Sequence, residues 1–250
     1  VNDEGPFNFL LDTGTNSTLI TPELARRLDL RPTDQIPLIT LSGTEVVPRA
    51  TLDSLALGTK SAKHLEVIFD DLSGVRLADS KICGVLGQNF LSQFNYLINY
   101  RERYVEFEES GELERRFTGA PPLVLEQDEG KLVVRSQTAE HAGETLRLVL
   151  DSGASHLVIF PPASFRMQLS AEHRDSFLTT TSATNDPVRQ GRLSQLIIGN
   201  ERLTNLPVAL ILPRAEVESR NEDGLLPTSL FRTIFFQNDR HAVLLNPRAD

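Results

Sequence analysis

The stretch Phe9-Leu10-Leu11-Asp12-Thr13-Gly14-Thr15-Asn16-Ser17-Thr18-Leu19-Ile20 is answered 139 positions later by Leu148-Val149-Leu150-Asp151-Ser152-Gly153-Ala154-Ser155-His156-Leu157-Val158-Ile159. Each copy is an apolar run, then Asp-Thr/Ser-Gly, then small or polar residues, then a second apolar run. A carboxylate at the end of an apolar strand is costly unless it is hydrogen-bonded or used. Two of them in matching surroundings point to two carboxylates that meet.

The repetition extends outward from these triplets. Ser42-Gly43-Thr44 matches Ser182-Ala183-Thr184, and Leu57-Gly58 matches Ile198-Gly199. Gly84-Val85-Leu86-Gly87-Gln88-Asn89-Phe90-Leu91 matches Gly224-Leu225-Leu226-Pro227-Thr228-Ser229-Leu230-Phe231. Four landmarks in one order, at offsets of 139 to 141, indicate a duplicated unit. The period is too long for a solenoid and fits two similar lobes. A lone Asp-Thr/Ser-Gly would be only a turn after a strand. Here each triplet is followed 72 or 73 residues later by Gly-apolar-apolar, and the conjunction carries the signal.

On these residues the chain resembles the aspartic protease superfamily that includes pepsin and the retroviral proteases. Halves of about 120 residues resemble a retroviral subunit more than a pepsin lobe. The whole looks like a bacterial-style, single-chain, retropepsin-like enzyme. The resemblance implies an all-β fold with minor helix: two homologous β-barrel lobes, residues 1–118 and 119–250, with an active-site cleft between them. It implies that the Gly84 and Gly224 strands pack beneath the two loops in a psi-shaped arrangement. Pro227 departs from the pattern, because the first copy has Gly87 there.

Composition sets the outer limits. The 250 residues are 40% hydrophobic and 24% charged, ordinary for a globular chain with an ample core. A net charge of −9 argues against a nucleic-acid partner and an anionic membrane surface. No apolar run approaches membrane-spanning length. The single Cys83 excludes an intrachain disulfide and reads as a small buried hydrophobe. The charged stretch Arg101 to Arg116 mixes both signs and reads as a solvated edge. Val1 to Pro6 looks like a turn directly before the first catalytic strand, whereas Leu123 to Thr138 is an extra stretch before the second. That difference suggests further N-terminal sequence in the natural protein, where a signal peptide for an extracytoplasmic location would lie.

Short strands separated by turn signals dominate the remainder. Pro6 to Leu11 and Ser17 to Ile20 flank the first loop, and Leu146 to Leu150 and Leu157 to Phe160 the second. Thr21 to Leu28 is a short helix, with Thr21 as N-cap and Pro22 in its first turn. Ile36 to Leu41 and Val46 to Leu57 form one hairpin, and Phe177 to Ser182 and Val188 to Ile198 another. By resemblance these are flaps over the cleft, with Ser42, Gly43 and Thr44 on the first and Ser182, Ala183 and Thr184 on the second. The breakers Thr118-Gly119-Ala120-Pro121-Pro122 mark the lobe boundary.

The chemistry follows from the pair. Two carboxyls about 3 Å apart cannot both ionise easily, so they share a proton. The ionised member activates a water as base, and the protonated member donates to the substrate carbonyl. Asp12 and Asp151 are the candidate dyad. Gly14 and Gly153 let the backbone approach, and the resemblance gives the Thr13 and Ser152 hydroxyls the role of tying the loops together. Thr15 can donate to the outer oxygen of its carboxylate and Ala154 cannot. In the resemblance a hydroxyl at this place goes with strongly acidic pepsin-type enzymes and alanine with milder retroviral ones, so the mixture implies a mildly acidic optimum. The five histidines lack metal-ligand spacing, so no metal or other cofactor is expected. Gly58-Thr59-Lys60-Ser61 superficially resembles the tail of a phosphate loop and reads as a turn. His156 reads as a rim residue. The expectation is an endopeptidase that takes an extended polypeptide and is catalytically complete as a monomer. A peptide-binding protein using the same cleft without hydrolysis is the alternative. A glycosidase built on paired carboxylates and a purely structural β protein explain the matched triplets less well.

Overall fold

A computed structural model describes residues 1–40, 43–117, 121–138, 145–167, 170–179, 185–212 and 220–247. Three sheets carry the described residues. The first has six strands in the order Asn8–Leu11, Ile82–Leu86, Thr18–Ile20, Lys60–Phe69, Gly43–Leu57, Asp34–Thr40. The second has eight: Glu126–Asp128, Lys131–Gln137, Thr145–Asp151, Gly224–Pro227, Leu157–Ile159, Glu201–Ile211, Asn185–Ile198, Ser170–Thr179. From its third strand onward the second sheet repeats the first strand for strand.

The repeat holds at the level of register. Gly84 lies beside Phe9 in a parallel pair, and Gly224 lies beside Leu148, so each glycine is level with the residue three before its Asp. The same strands run antiparallel to the far side of each loop, with Ile20 opposite Gly84 and Ile159 opposite Gly224. Each Asp loop is thus the link between two strands that flank a third. This is the psi arrangement that the resemblance implied. Pro227 fits it without distortion: at φ −58° and ψ 122° it ends its strand in extended backbone.

A third sheet of five strands mixes the halves: Tyr104–Phe107, Tyr96–Asn99, Thr233–Gln237, Ala242–Leu245, Leu123–Val124. Its central pairing sets Tyr96 beside Phe236 and Asn99 beside Thr233. The Tyr96 and Phe236 rings stack with centroids 4.8 Å apart. The largest hydrophobic cluster also spans both halves, from Ile20, Leu24 and Leu52 to Leu146, Leu193 and Phe236. Residues 118–120, where the sequence put the lobe boundary, lie outside the described residues.

Several expectations are sharpened. Thr21 caps the helix Pro22–Arg27 by accepting from the Leu24 amide at 3.2 Å. The stretch from Arg101 to Arg116 is more than a solvated edge. It holds the strand Tyr104–Phe107 and the helix Glu112–Arg116, whose Leu113 is buried beneath its charged face. The sequence reading missed this helix because one apolar residue among charges gives no visible period. Cys83 is half-buried rather than buried, its thiol directed at the Asn8 carbonyl at 3.4 Å. Gly58 and Thr59 form the turn between two strands, with Gly58 at φ +59°. Among the described residues no helix is long and apolar enough to cross a membrane.

Candidate active site

The two strands that deliver the aspartates differ in their neighbours. Asn8–Leu11 is the edge of its sheet, and Phe9, Leu10 and Leu11 are half-buried. Thr145–Asp151 is flanked on its free side by Lys131–Gln137, and Leu148, Val149 and Leu150 are fully buried. The extra stretch before the second copy is therefore a hairpin, Glu126–Asp128 with Lys131–Gln137, that covers the strand Thr145–Asp151. Its turn also reaches the first loop, where the Asn16 amide donates to the Glu129 carbonyl at 2.5 Å.

The loops interlock through their hydroxyls. The Thr13 hydroxyl donates to the Leu150 carbonyl at 2.7 Å, and the Ser152 hydroxyl donates to the Leu11 carbonyl at 2.7 Å. Each hydroxyl also accepts from the other residue's amide at 3.0 Å. Four crossed bonds join two loops 139 positions apart. Thr13 is fully buried, so its polar groups have no alternative partner in water.

The carboxylates sit where the glycines leave room. A β-carbon on Gly14 would fall 2.6 Å from an Asp151 oxygen, and one on Gly153 would fall 2.8 Å from an Asp12 oxygen. Any side chain at either position would collide with the opposite carboxyl, so glycine is required for close approach and not for a turn. The Gly14 amide donates to Asp12 Oδ1 at 2.8 Å. Asp151 Oδ1 accepts from the Gly153 and Ala154 amides, at 2.7 and 2.9 Å.

Burial raises the proton affinity of both carboxyls, and more so for Asp151. For Asp151 burial is joined by the Asp12 charge and by the hydrogen bond between the two side chains, and together they outweigh its two amide donors. For Asp12 the same hydrogen bond works the other way, favouring the charged form. Both carboxyls are pushed in the same direction, towards holding a proton, and each titration belongs to the pair.

Thr15 does not act as the sequence suggested. Its hydroxyl turns to the Ser17 carbonyl at 3.4 Å and away from Asp12. Ala154 instead contributes its amide. Of the hairpin residues, Gly43 and Thr44 open the strand Gly43–Leu57, while Ser42, Ser182, Ala183 and Thr184 lie outside the described residues. His156 is exposed and paired through Nδ1 with the Ser155 hydroxyl at 2.8 Å.

Sequence reasoning missed the supporting residues. On the first side Gln88 Nε2 donates to the Thr13 carbonyl at 2.8 Å, and Asn89 Oδ1 accepts from both the amide and the hydroxyl of Thr18. On the second side the Tyr100 hydroxyl meets the Thr228 hydroxyl. Burial raises the Tyr100 pKa, and the charges of Asp151 and Asp12 add to it, so this phenol stays neutral beside the pair. The signal for Gln88 was its place directly after Gly84-Val85-Leu86-Gly87. Nothing in the sequence pointed to Tyr100. Among the described residues no group of three or more His, Cys, Asp or Glu side chains gathers as a metal site.

The aspartyl protease family model matches residues 1–90 and 137–230, which contain both triplets and both glycine strands. The chain belongs to the aspartyl protease family. Among solved structures, this family member is similar to a retropepsin-like aspartic protease from Rickettsia conorii, at 15% identity over 51% of this chain and 89% of that one, with a TM-score of 0.37. No curated protein matches significantly.

Proposed function

We propose that the protein is an aspartic endopeptidase whose dyad is Asp12 and Asp151. One observation carries the reading: each triplet's glycine faces the other triplet's carboxylate, with the loops clamped by crossed hydroxyl bonds. That arrangement holds two carboxyls against each other with one proton between them. Asp12, ionised, takes a proton from a water that attacks the scissile carbonyl. Asp151, protonated, donates to the carbonyl oxygen as the tetrahedral intermediate forms. The proton gained by Asp12 then passes to the leaving amine, and the starting state is restored as the carbonyl reforms.

The substrate is an extended polypeptide. Cleft and hairpin strands pair with its backbone, a mode that uses main-chain hydrogen bonds for affinity and side-chain pockets for choice. Residues 1–118 and 119–250 form the two lobes. Because both carboxyls belong to one chain, a monomer holds the whole site, and specific activity is constant on dilution. The test is cleavage of a peptide library by purified protein, followed by Asp12→Asn and Asp151→Asn. Each variant loses activity by roughly 10³-fold or more, with circular dichroism unchanged. Near wild-type cleavage by either variant overturns the assignment. Binding of a statine-containing peptide without cleavage by the wild type leaves a peptide-binding protein.

A further inference from the structure

The first hairpin, Asp34–Thr40 with Gly43–Leu57, is the outer edge of the first sheet, yet its end is gripped by the other half of the molecule. Arg220 lies 180 positions away, four residues before the strand Gly224–Pro227 that flanks the Asp151 loop. Its Nη2 donates to the Thr40 carbonyl at 2.6 Å. The guanidinium carbon lies 4.8 Å from the centre of the Phe160 ring. Nη1 stands 3.5 Å from Glu222 Oε1.

These contacts form a mounting and not a chance surface contact. Phe160 is 2% exposed and directly follows the strand Leu157–Ile159 on the far side of the Asp151 loop. Glu222 is 5% exposed and is also held by Lys131 Nζ at 2.7 Å. Burial pushes the Glu222 carboxyl up, but the Lys131 hydrogen bond and the Lys131 and Arg220 charges outweigh it, so the group stays charged. The Arg220 side chain is only 16% exposed. A planar cation stacked on a ring and paired with a buried carboxylate has lost most of its freedom in advance. A charge-assisted bond from such a donor to a carbonyl is among the stronger kind.

We propose that Arg220 is a latch, carried by the second half, that holds the end of the first hairpin down in the substrate-free protein, so that a peptide gains the cleft only when the Arg220–Thr40 bond opens. This rests on the reading of the hairpin as a cover over the cleft. The bond joins opposite halves, so opening separates the hairpin from the body of the protein without disturbing either sheet.

Hydrogen exchange decides the latch without any ligand. In Arg220→Ala the amides of residues 34–40 and 43–50 exchange faster by roughly tenfold, the size expected for one lost charge-assisted bond, while the third sheet is unchanged. Arg220→Lys, which keeps the charge but not the planar fork, gives an intermediate rate. Arg240→Ala, which removes a pair with Glu114 at 2.8 Å that involves no hairpin residue, leaves the hairpin at the wild-type rate. Hairpin exchange in Arg220→Ala equal to wild type overturns the latch. Stopped-flow binding of a statine-containing peptide then reads the gate: the association rate rises in Arg220→Ala. An unchanged association rate with faster exchange overturns the gating role. The exchange result stands even if the protein cleaves no peptide, so failure of the latch and failure of the protease reading are separable.

Discussion

The strands that carry Asp12 and Asp151 have one register and two environments. Asn8–Leu11 is an edge, open on one side. Thr145–Asp151 lies inside its sheet, covered by the hairpin that begins at Glu126. The loops beyond them share their crossed hydroxyl bonds, but their outer supports differ. The first loop is held by side-chain amides, Gln88 on Thr13 and Asn89 on Thr18. At the matching places the second has Thr228 with Tyr100, and an apolar Leu157. Gly87 shows why the wiring diverges as a set. Its amide donates to the Thr18 hydroxyl at 3.3 Å, and a β-carbon there would strike the Ser17 carbonyl. In the second copy Pro227 has no amide hydrogen to donate and Leu157 has no hydroxyl to receive one. Backbone register is enough to repeat the fold. The polar detail around it is free to change.

The glycines give the sharpest way to break that comparison. Gly14→Ala and Gly153→Ala both push against a carboxyl, but the Gly14 position is tighter, against the more buried Asp151. Both variants lose cleavage activity, and Gly14→Ala loses more, by about tenfold. Equal losses in kcat/KM would mean that the pair is symmetric.

The crossed hydroxyls come next. Thr13→Val leaves the Leu150 carbonyl and the Ser152 amide without their partner in a fully buried place. It costs about 2 kcal/mol by denaturant unfolding and lowers Tm. Ser152→Ala removes the mirror-image bonds at a half-buried position and costs about half as much. A larger loss for Ser152→Ala would reverse the order of burial inferred for the two loops.

The aspartates themselves separate by pH. A carboxyl whose folded pKa lies above its unfolded value near 3.8 binds more protons folded than unfolded, so its contribution to stability falls as pH rises between those values. Asn imitates the protonated acid and removes that loss. Asp151→Asn therefore has a higher Tm than wild type at neutral pH, and the gain fades on acidification towards the unfolded pKa. Asp12→Asn shows the same trend with a smaller gain, since its proton affinity is raised less. A larger gain for Asp12→Asn would reverse the order of proton affinity inferred for the two. The smallest effect belongs to Thr15→Ala. With its hydroxyl on the Ser17 carbonyl, its loss leaves the acidic limb of the rate profile in place, whereas a shift upward would restore the role that the sequence suggested.

How much was legible depended on what kind of force wrote it. The triplets, the glycine strands and both hairpins are specified by apolar runs and by glycine, which act locally and leave a pattern in the chain. The helix Pro22–Arg27 carried its own cap and proline. The burial of the Asp151 strand was half visible: Leu123 to Thr138 stood out as an addition, but not as a cover over Thr145–Asp151. Tyr100, Thr228 and Arg220 were invisible because each acts on a partner more than a hundred positions away. The Thr15 expectation failed for a related reason. A rotatable hydroxyl chooses among nearby acceptors, and residue type alone does not say which.

The third sheet has a consequence for how such a site can change. Where a site is built by two identical chains, every substitution is written into both loops at once, and whatever suits one Asp must suit the other. Here the strands Tyr96–Asn99 and Thr233–Gln237 pair within a single chain, so each loop has its own codons. Proline can enter one loop without entering the other, and a tyrosine can meet the threonine beside one loop alone. Joining the copies released them from having to remain alike.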